Sequence, residues 1–354
     1  MGRPYVPFID WLKCLGMLVI LYGHLAAWAP LAVLPPINLK QVGVAFFVFI
    51  TGYSLAQETG DRWRVAFNRL FEIYLFGILL ALLLSAIGYW SSGRIQLSNY
   101  APLVGGVNVI FDFFPANPTT WYLGTYFHLI LIWALVAYRV RVSMRVLIAS
   151  LLLEILVRML LIAAAGRFVA YMALTNWCTV FLLGCWYGQR PQRTRSALHS
   201  SVTAFLALVL CVTIWSLIAA RLPFDDAFPF MRLAAPSPLV GASIVSALVS
   251  LLYLGVTWLT FRCVEPLPAP QAVRFVARNT LIIFLGHMPV YYALWPVVYR
   301  MPGSRAVHSA ILMIVCLIGL GLLSELLRKL IRPIELRQRV YASLRRLHIH
   351  RCQR

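Results

Sequence analysis

Apolar runs of roughly twenty residues recur along the whole chain, separated by short polar links. A helix of about 20 apolar residues crosses a hydrocarbon layer of about 30 Å. The pattern therefore predicts ten crossings, at residues 8–28, 38–57, 68–90, 119–138, 146–165, 168–188, 201–220, 238–261, 278–298 and 307–327. No link between them is long enough for a soluble domain. The predicted fold class is an all-α polytopic membrane helix bundle of about ten transmembrane helices.

An even number of crossings puts both termini on one side, so alternate links can be compared for Lys and Arg. Of the 31 Lys and Arg residues, 22 fall on the side of the termini and 7 on the other. That asymmetry predicts cytoplasmic N and C termini. Residues 1–328 form the predicted transmembrane domain and residues 329–354 a basic cytoplasmic tail. In the tail, Leu336, Val340, Tyr341, Leu344 and Leu347 alternate with basic residues in an amphipathic helical pattern suited to anionic lipid.

Composition agrees with this reading: 61% of residues are hydrophobic and 12% charged, with a mean hydropathy of +0.81. A net charge of +20 would point a soluble protein toward nucleic acid. Here the arginines sit mainly in the links, so no nucleic-acid partner is expected. The seven cysteines form neither a metal-ligand cluster nor a paired framework, and no metal site is expected.

Ionisable side chains inside membrane spans cost several kcal/mol unless paired or hydrated, so each carries a functional hypothesis. The first span holds Asp10, Lys13 and His24, the third opens with Arg69 and Glu72, the fifth carries Glu154 and Arg158, and the ninth carries His287. Lys13 and His24 are three helical turns apart, which puts them on nearly one face, shared by Asp10, and roughly 16 Å apart along the axis. Such a face suits a long ligand with an anionic head at the cytoplasmic mouth and a reactive end near the imidazole. Coenzyme A fits: its phosphates need Lys or Arg, and transfer from its thioester needs a base. The spacing fits equally well a Lys13 that extends to the interface and a His24 that hydrogen-bonds a neighbouring helix.

Glu154 and Arg158, at i and i+4, can neutralise each other as a structural pair. Trp121 and Tyr122, taken alone, match an aromatic belt. Two longer far-side links, residues 91–118 leading into FDFFPANPTT and residues 221–237 with Asp225 and Asp226, are candidate acceptor loops.

Five segments resemble the acyltransferase 3 family of bacterial membrane O-acyltransferases. Asp10 to Lys13, then ten residues and His24, resembles the family's opening motif of a basic residue, ten others and histidine. GVAFFVFITGY, residues 43–53, is similar to a second-helix segment in which Thr51 replaces the usual serine. RWRVAFNRLFEI, residues 62–73, resembles a basic donor motif with two arginines three apart, but Glu72 stands at the second. TWYL, residues 120–123, resembles the entry to the fourth helix, with Tyr126 where many members have glutamate. IFLGHMP, residues 283–289, is similar to a late histidine-proline segment.

The resemblance covers roughly residues 8–300 and is to the stand-alone type, without an appended hydrolase-like domain. It implies transfer of an acetyl or related acyl group from cytoplasmic acyl-CoA to a hydroxyl of a glycan or glycosylated acceptor, in a bacterial inner membrane. His24 is the implied general base, grouped with Asp10, Lys13 and His287 as the catalytic set. Lys13, Arg64 and Arg69 are the implied donor-binding residues, and Thr51, Trp121 and Tyr122 the substrate-binding ones. Thr51, Tyr122 and His287 are candidates to stabilise an oxyanion. No tightly bound cofactor is expected, acyl-CoA being a substrate. The rival reading is a transporter that uses the intramembrane charges as a relay, although the chain has no internal repeat.

Overall fold

The computed structural model describes residues 5–25, 40–93, 100–111, 120–165, 167–190, 198–221 and 237–352, and no strand occurs among them. Residues 94–99 and 112–118 of the first proposed acceptor loop, and Asp225 and Asp226 of the second, lie outside the described residues.

The first helices are α1 (Pro7–Leu25), α2 (Lys40–Ala56) and α3 (Arg62–Ser92), followed by the short α4 (Tyr100–Val104) and α5 (Asn108–Phe111). Next come α6 (Trp121–Leu135), α7 (Met144–Ala164), the short α8 (Arg167–Met172) and α9 (Cys178–Gly188). The chain continues through α10 (Leu198–Arg221), α11 (Pro238–Val264), α12 (Gln271–Val298), α13 (Arg305–Ile314), α14 (Leu320–Ile331) and α15 (Pro333–Cys352).

Six helices are long and apolar enough to cross a membrane: α1, α3, α7, α11, α12 and the continuous Arg305–Ile331 rod made by α13 and α14. Shorter apolar helices lie at Lys40–Ala56, Trp121–Leu135, Cys178–Gly188 and Ser201–Leu217. With exposed leucines along α3, α7 and α10, among them Leu83, Leu152 and Leu210, this is a multi-pass membrane protein whose outer surface is matched to hydrocarbon.

Helix α1 packs against α2, α11 and α12, and α2 against α9. Lipid tails are as apolar as leucine, so helices in a bilayer gain most from close van der Waals approach. The α2–α9 contact shows how close this is. A Cβ on Gly184 would stand 2.1 Å from the Phe49 carbonyl oxygen, and one on Gly52 would stand 2.1 Å from that of Phe181. Gly184→Ala is expected to force these backbones apart and cost about 1–3 kcal/mol, measured as a lower thermal midpoint in detergent; an unchanged midpoint would show that the contact is loose.

The Glu154–Arg158 pair lies in the interior, as a structural pair requires. Arg158 Nη2 meets Glu154 Oε1 at 2.7 Å, and its Nη1 donates to the Ser246 carbonyl and the Ser250 hydroxyl, both at 2.8 Å. Ser250 also donates to Glu154 Oε1 at 2.7 Å, and the Thr179 amide to Oε2 at 2.9 Å. One network thus joins α7, α9 and α11.

Three local features differ from the sequence reading. The span expected at 168–188 is broken into α8, a 3₁₀ turn at Leu174–Asn176, and α9. The donor motif at 62–73, of which only residues from 68 onward fall in an expected span, is helical throughout as the first turns of α3, whose N-terminus is capped by Asp61 accepting from the Arg64 amide at 2.8 Å. Between α13 and α14, Val315–Gly319 form a π turn with Cys316 buried.

Helix α14 runs to Ile331. Arg332, at φ 48°, turns the chain in the left-handed region, and Pro333 opens α15.

Candidate active site

A cavity of about 560 Å³ opens between α1, α2, α3, α6, α12 and α14. Its mouth is set by helix ends: Lys13 from the start of α1, Arg69 and Glu72 from the start of α3, Arg278 from the start of α12 and Arg328 from the end of α14, with Arg337 of α15 beside them. Five cationic side chains and one carboxylate make this a positive chamber. Deeper in, the wall carries Thr51, Tyr122, Tyr126 and Phe284.

The helical donor motif explains which arginines reach the cavity. Successive residues turn by about 100°, so Arg69 and Glu72, three apart, share the cavity face, while Arg62, two turns before Arg69, is engaged outside the cavity, donating to the Ala134 carbonyl at 3.1 Å and covering the Tyr138 ring at 4.6 Å. Arg64 faces α15 and lines an adjoining pocket. Arg69 pairs with Glu58 at 2.8 Å. Glu72 pairs with Arg328 at 2.7 Å; the charges are close, but the contact is too poorly aligned to count as a hydrogen bond. The departure at Glu72 thus brings in an arginine 256 positions along the chain.

His24 and His287 do not line this cavity; they meet each other, with ring centroids 5.0 Å apart and planes 52° apart. The fully buried His287 has its Nδ1 2.6 Å from the Phe284 carbonyl. A carbonyl only accepts, so Nδ1 carries the proton and Nε2 keeps its lone pair. Nε2 has no hydrogen-bond partner among the described residues. Tyr291 packs edge-on against His287 at 5.7 Å and donates to the Leu21 carbonyl at 3.3 Å, tying α12 to α1 just before His24. A file of rings links cavity to histidines: Tyr122 to Phe284 at 5.5 Å, Phe284 to His287 at 6.0 Å, and His287 to His24.

The other predicted residues divide. Lys13, Thr51, Arg69 and Tyr122 line the cavity. Asp10 does not, and it accepts from the Tyr5 hydroxyl at 2.7 Å. Trp121 packs behind Tyr122, edge-on at 5.8 Å, and stacks on Trp177 at 6.5 Å. Thr51 donates its proton to the Phe47 carbonyl at 2.8 Å, so it has none to offer an oxyanion; the hydroxyls of Tyr122, Tyr126 and Ser54 and the Asn68 amide are other uncharged donors on the wall.

Arg278, Arg328 and Arg337 were not legible as site residues from spacing. The one signal for Arg328 was the isolated carboxylate at Glu72, which needed a cation.

No curated protein and no solved structure matches the chain. A family model described as an acyltransferase domain matches residues 6–325, a span that contains the histidine pair and most of the cavity wall. With the basic chamber, the facing histidines and that match together, the chain belongs to the acyltransferase 3 family and is a membrane acyltransferase.

Proposed function

We propose that the protein moves an acetyl or related acyl group from cytoplasmic acyl-CoA to a hydroxyl of a glycan or glycosylated acceptor, with His24 as general base. The observation that carries this reading is the file of packed rings, Tyr122, Phe284 and His287, that runs from a cationic chamber lined by Lys13 and Arg69 to His24. Phosphates of the donor meet the cations and the thioester lies toward Phe284. The acceptor hydroxyl gives its proton to His24 and attacks the thioester carbonyl. Tyr122 donates to the oxyanion, the C–S bond breaks, and the thiolate leaves and takes up a proton. His287, with its bare Nε2, orients or relieves His24.

In this reading the six long and four shorter apolar helices are ten crossings of a bacterial inner membrane, and both termini are cytoplasmic. Single cysteines at Arg141 and Arg346 are expected to label from the cytoplasm and one at Arg300 from the opposite side; labelling of all three from one side overturns this topology.

The direct test of function is transfer or hydrolysis of radiolabelled acetyl-CoA by the purified protein, joined to mass spectrometry of surface glycans from cells with and without the gene. A transporter or scaffold does neither reaction. Arg69→Ala is expected to raise the donor KM about tenfold with little change in kcat, since Arg69 is partly solvated and its bond to phosphate is charge-assisted. An unchanged KM would place the phosphates on the other cations.

A further inference from the structure

Helix α15 lies beyond the residues that match the family, which end at 325, yet it closes a second chamber. This cavity, about 460 Å³, is lined by Arg64 and Asn68 of α3 and by Arg337, Tyr341 and Arg346 of α15. No carboxylate lines it. It adjoins the first chamber, because Asn68 and Arg337 belong to the walls of both.

The contacts that hold α15 here are specific. Tyr341 packs on Phe67 with ring centroids 5.5 Å apart, the Arg64 guanidinium lies 5.5 Å from the Tyr341 ring centroid, and Arg337 Nη1 donates to the Asn68 carbonyl at 3.4 Å. The amphipathic tail therefore spends Tyr341 on the protein rather than on lipid.

Three guanidinium groups and one aromatic ring around a concave volume of this size fit a phosphorylated nucleoside better than a bare anion. The ring and the Arg64 plane offer stacking for a base, and the arginines offer forked donors to phosphate. An acyl thioester carried on a nucleotide would then have its acyl arm and the phosphates nearest that arm in the first chamber, where Arg69 lies, and its base and the phosphate beside the sugar in the second. We propose that α15 and the start of α3 form the nucleotide-binding end of the donor site, with the base on Tyr341 and Arg64 and the phosphate beside the sugar on Arg337 and Arg346. This rests on the acyl-CoA reading above and assigns the tail a binding role within it.

The test uses full-length protein in nanodiscs of phosphatidylcholine, with and without anionic lipid. Adenosine 3′,5′-bisphosphate serves as the binding probe, and acetyl-CoA is compared with acetyl-pantetheine, which lacks the nucleotide. Tyr341→Ala and Arg346→Ala are expected to weaken probe binding and raise the acetyl-CoA KM, each about tenfold. They should leave kcat and the acetyl-pantetheine kcat/KM unchanged, in both lipids. Equal losses with both donors would make α15 a structural brace, and a loss confined to anionic nanodiscs would make the chamber a lipid-headgroup site; either overturns the proposal, as does unchanged probe binding. If the wild-type protein turns over neither donor, the acyl-CoA reading fails by itself. Probe binding that is lost in Tyr341→Ala would then still support a nucleotide pocket.

Discussion

Replacing His24 with alanine is expected to lower turnover by about 10²- to 10⁴-fold, the usual loss when a general base is removed, while acyl-CoA binding persists. The two effects separate because the donor cations lie on the cavity wall and His24 does not. His24 is held at the end of α1 beside His287, whose proton is committed to the Phe284 carbonyl. His287 therefore offers a lone pair and cannot donate from Nε2 in that state. His287→Ala is expected to reduce kcat less than His24→Ala, because it removes a neighbour of the base. Single-turnover transfer of acetyl from bound acetyl-CoA measures both variants without interference from donor affinity. Near-wild-type transfer by His24→Ala, with a large loss in His287→Ala, would move the role of base to His287.

Arg158→Ala is expected to destabilise the bundle by about 3–5 kcal/mol, the cost of leaving one partner of a buried ion pair without the other. Glu154 would keep the Thr179 amide and the Ser250 hydroxyl but lose the charge that balances it. The double variant Glu154→Gln, Arg158→Met is expected to recover much of that loss, because no buried charge remains. Thermal unfolding in detergent reads both, and acyl transfer per folded molecule should stay near wild type, since neither residue lines the cavity. An Arg158→Ala protein as stable as wild type would return these charges to the candidates for a substrate or proton relay.

The apolar runs located the helices well because hydropathy over twenty residues reports the solvent that surrounds a helix. They failed where polarity was local. The break between α8 and α9 falls at Leu174–Asn176, where Asn176 and Thr175 are carried in an otherwise apolar stretch, and a long window averages them away. Lys13 and His24 were legible as a pair because both belong to one helix. The meeting of His24 with His287 was not, since 263 positions separate them and only the packing of α1 on α12 brings them together. Arg278 and Arg328 entered the sequence reading only through the excess of basic residues on one side of the membrane. Only the fold turns them onto one chamber.

The π turn at Val315–Gly319 has a bearing on that chamber although it lies deep in the apolar part of the last membrane helix. A π turn holds one residue more than regular α-helix over the same length, so everything beyond it is rotated by about 100° relative to an uninterrupted helix. Arg328 follows nine residues after Gly319, and its azimuth toward Glu72 is set by that offset. Removing a single residue from the turn would restore regular helix and swing Arg328 out of phase with the chamber, without altering any charge. The electrostatics of the chamber's mouth are thus indexed by an uncharged segment more than two turns away.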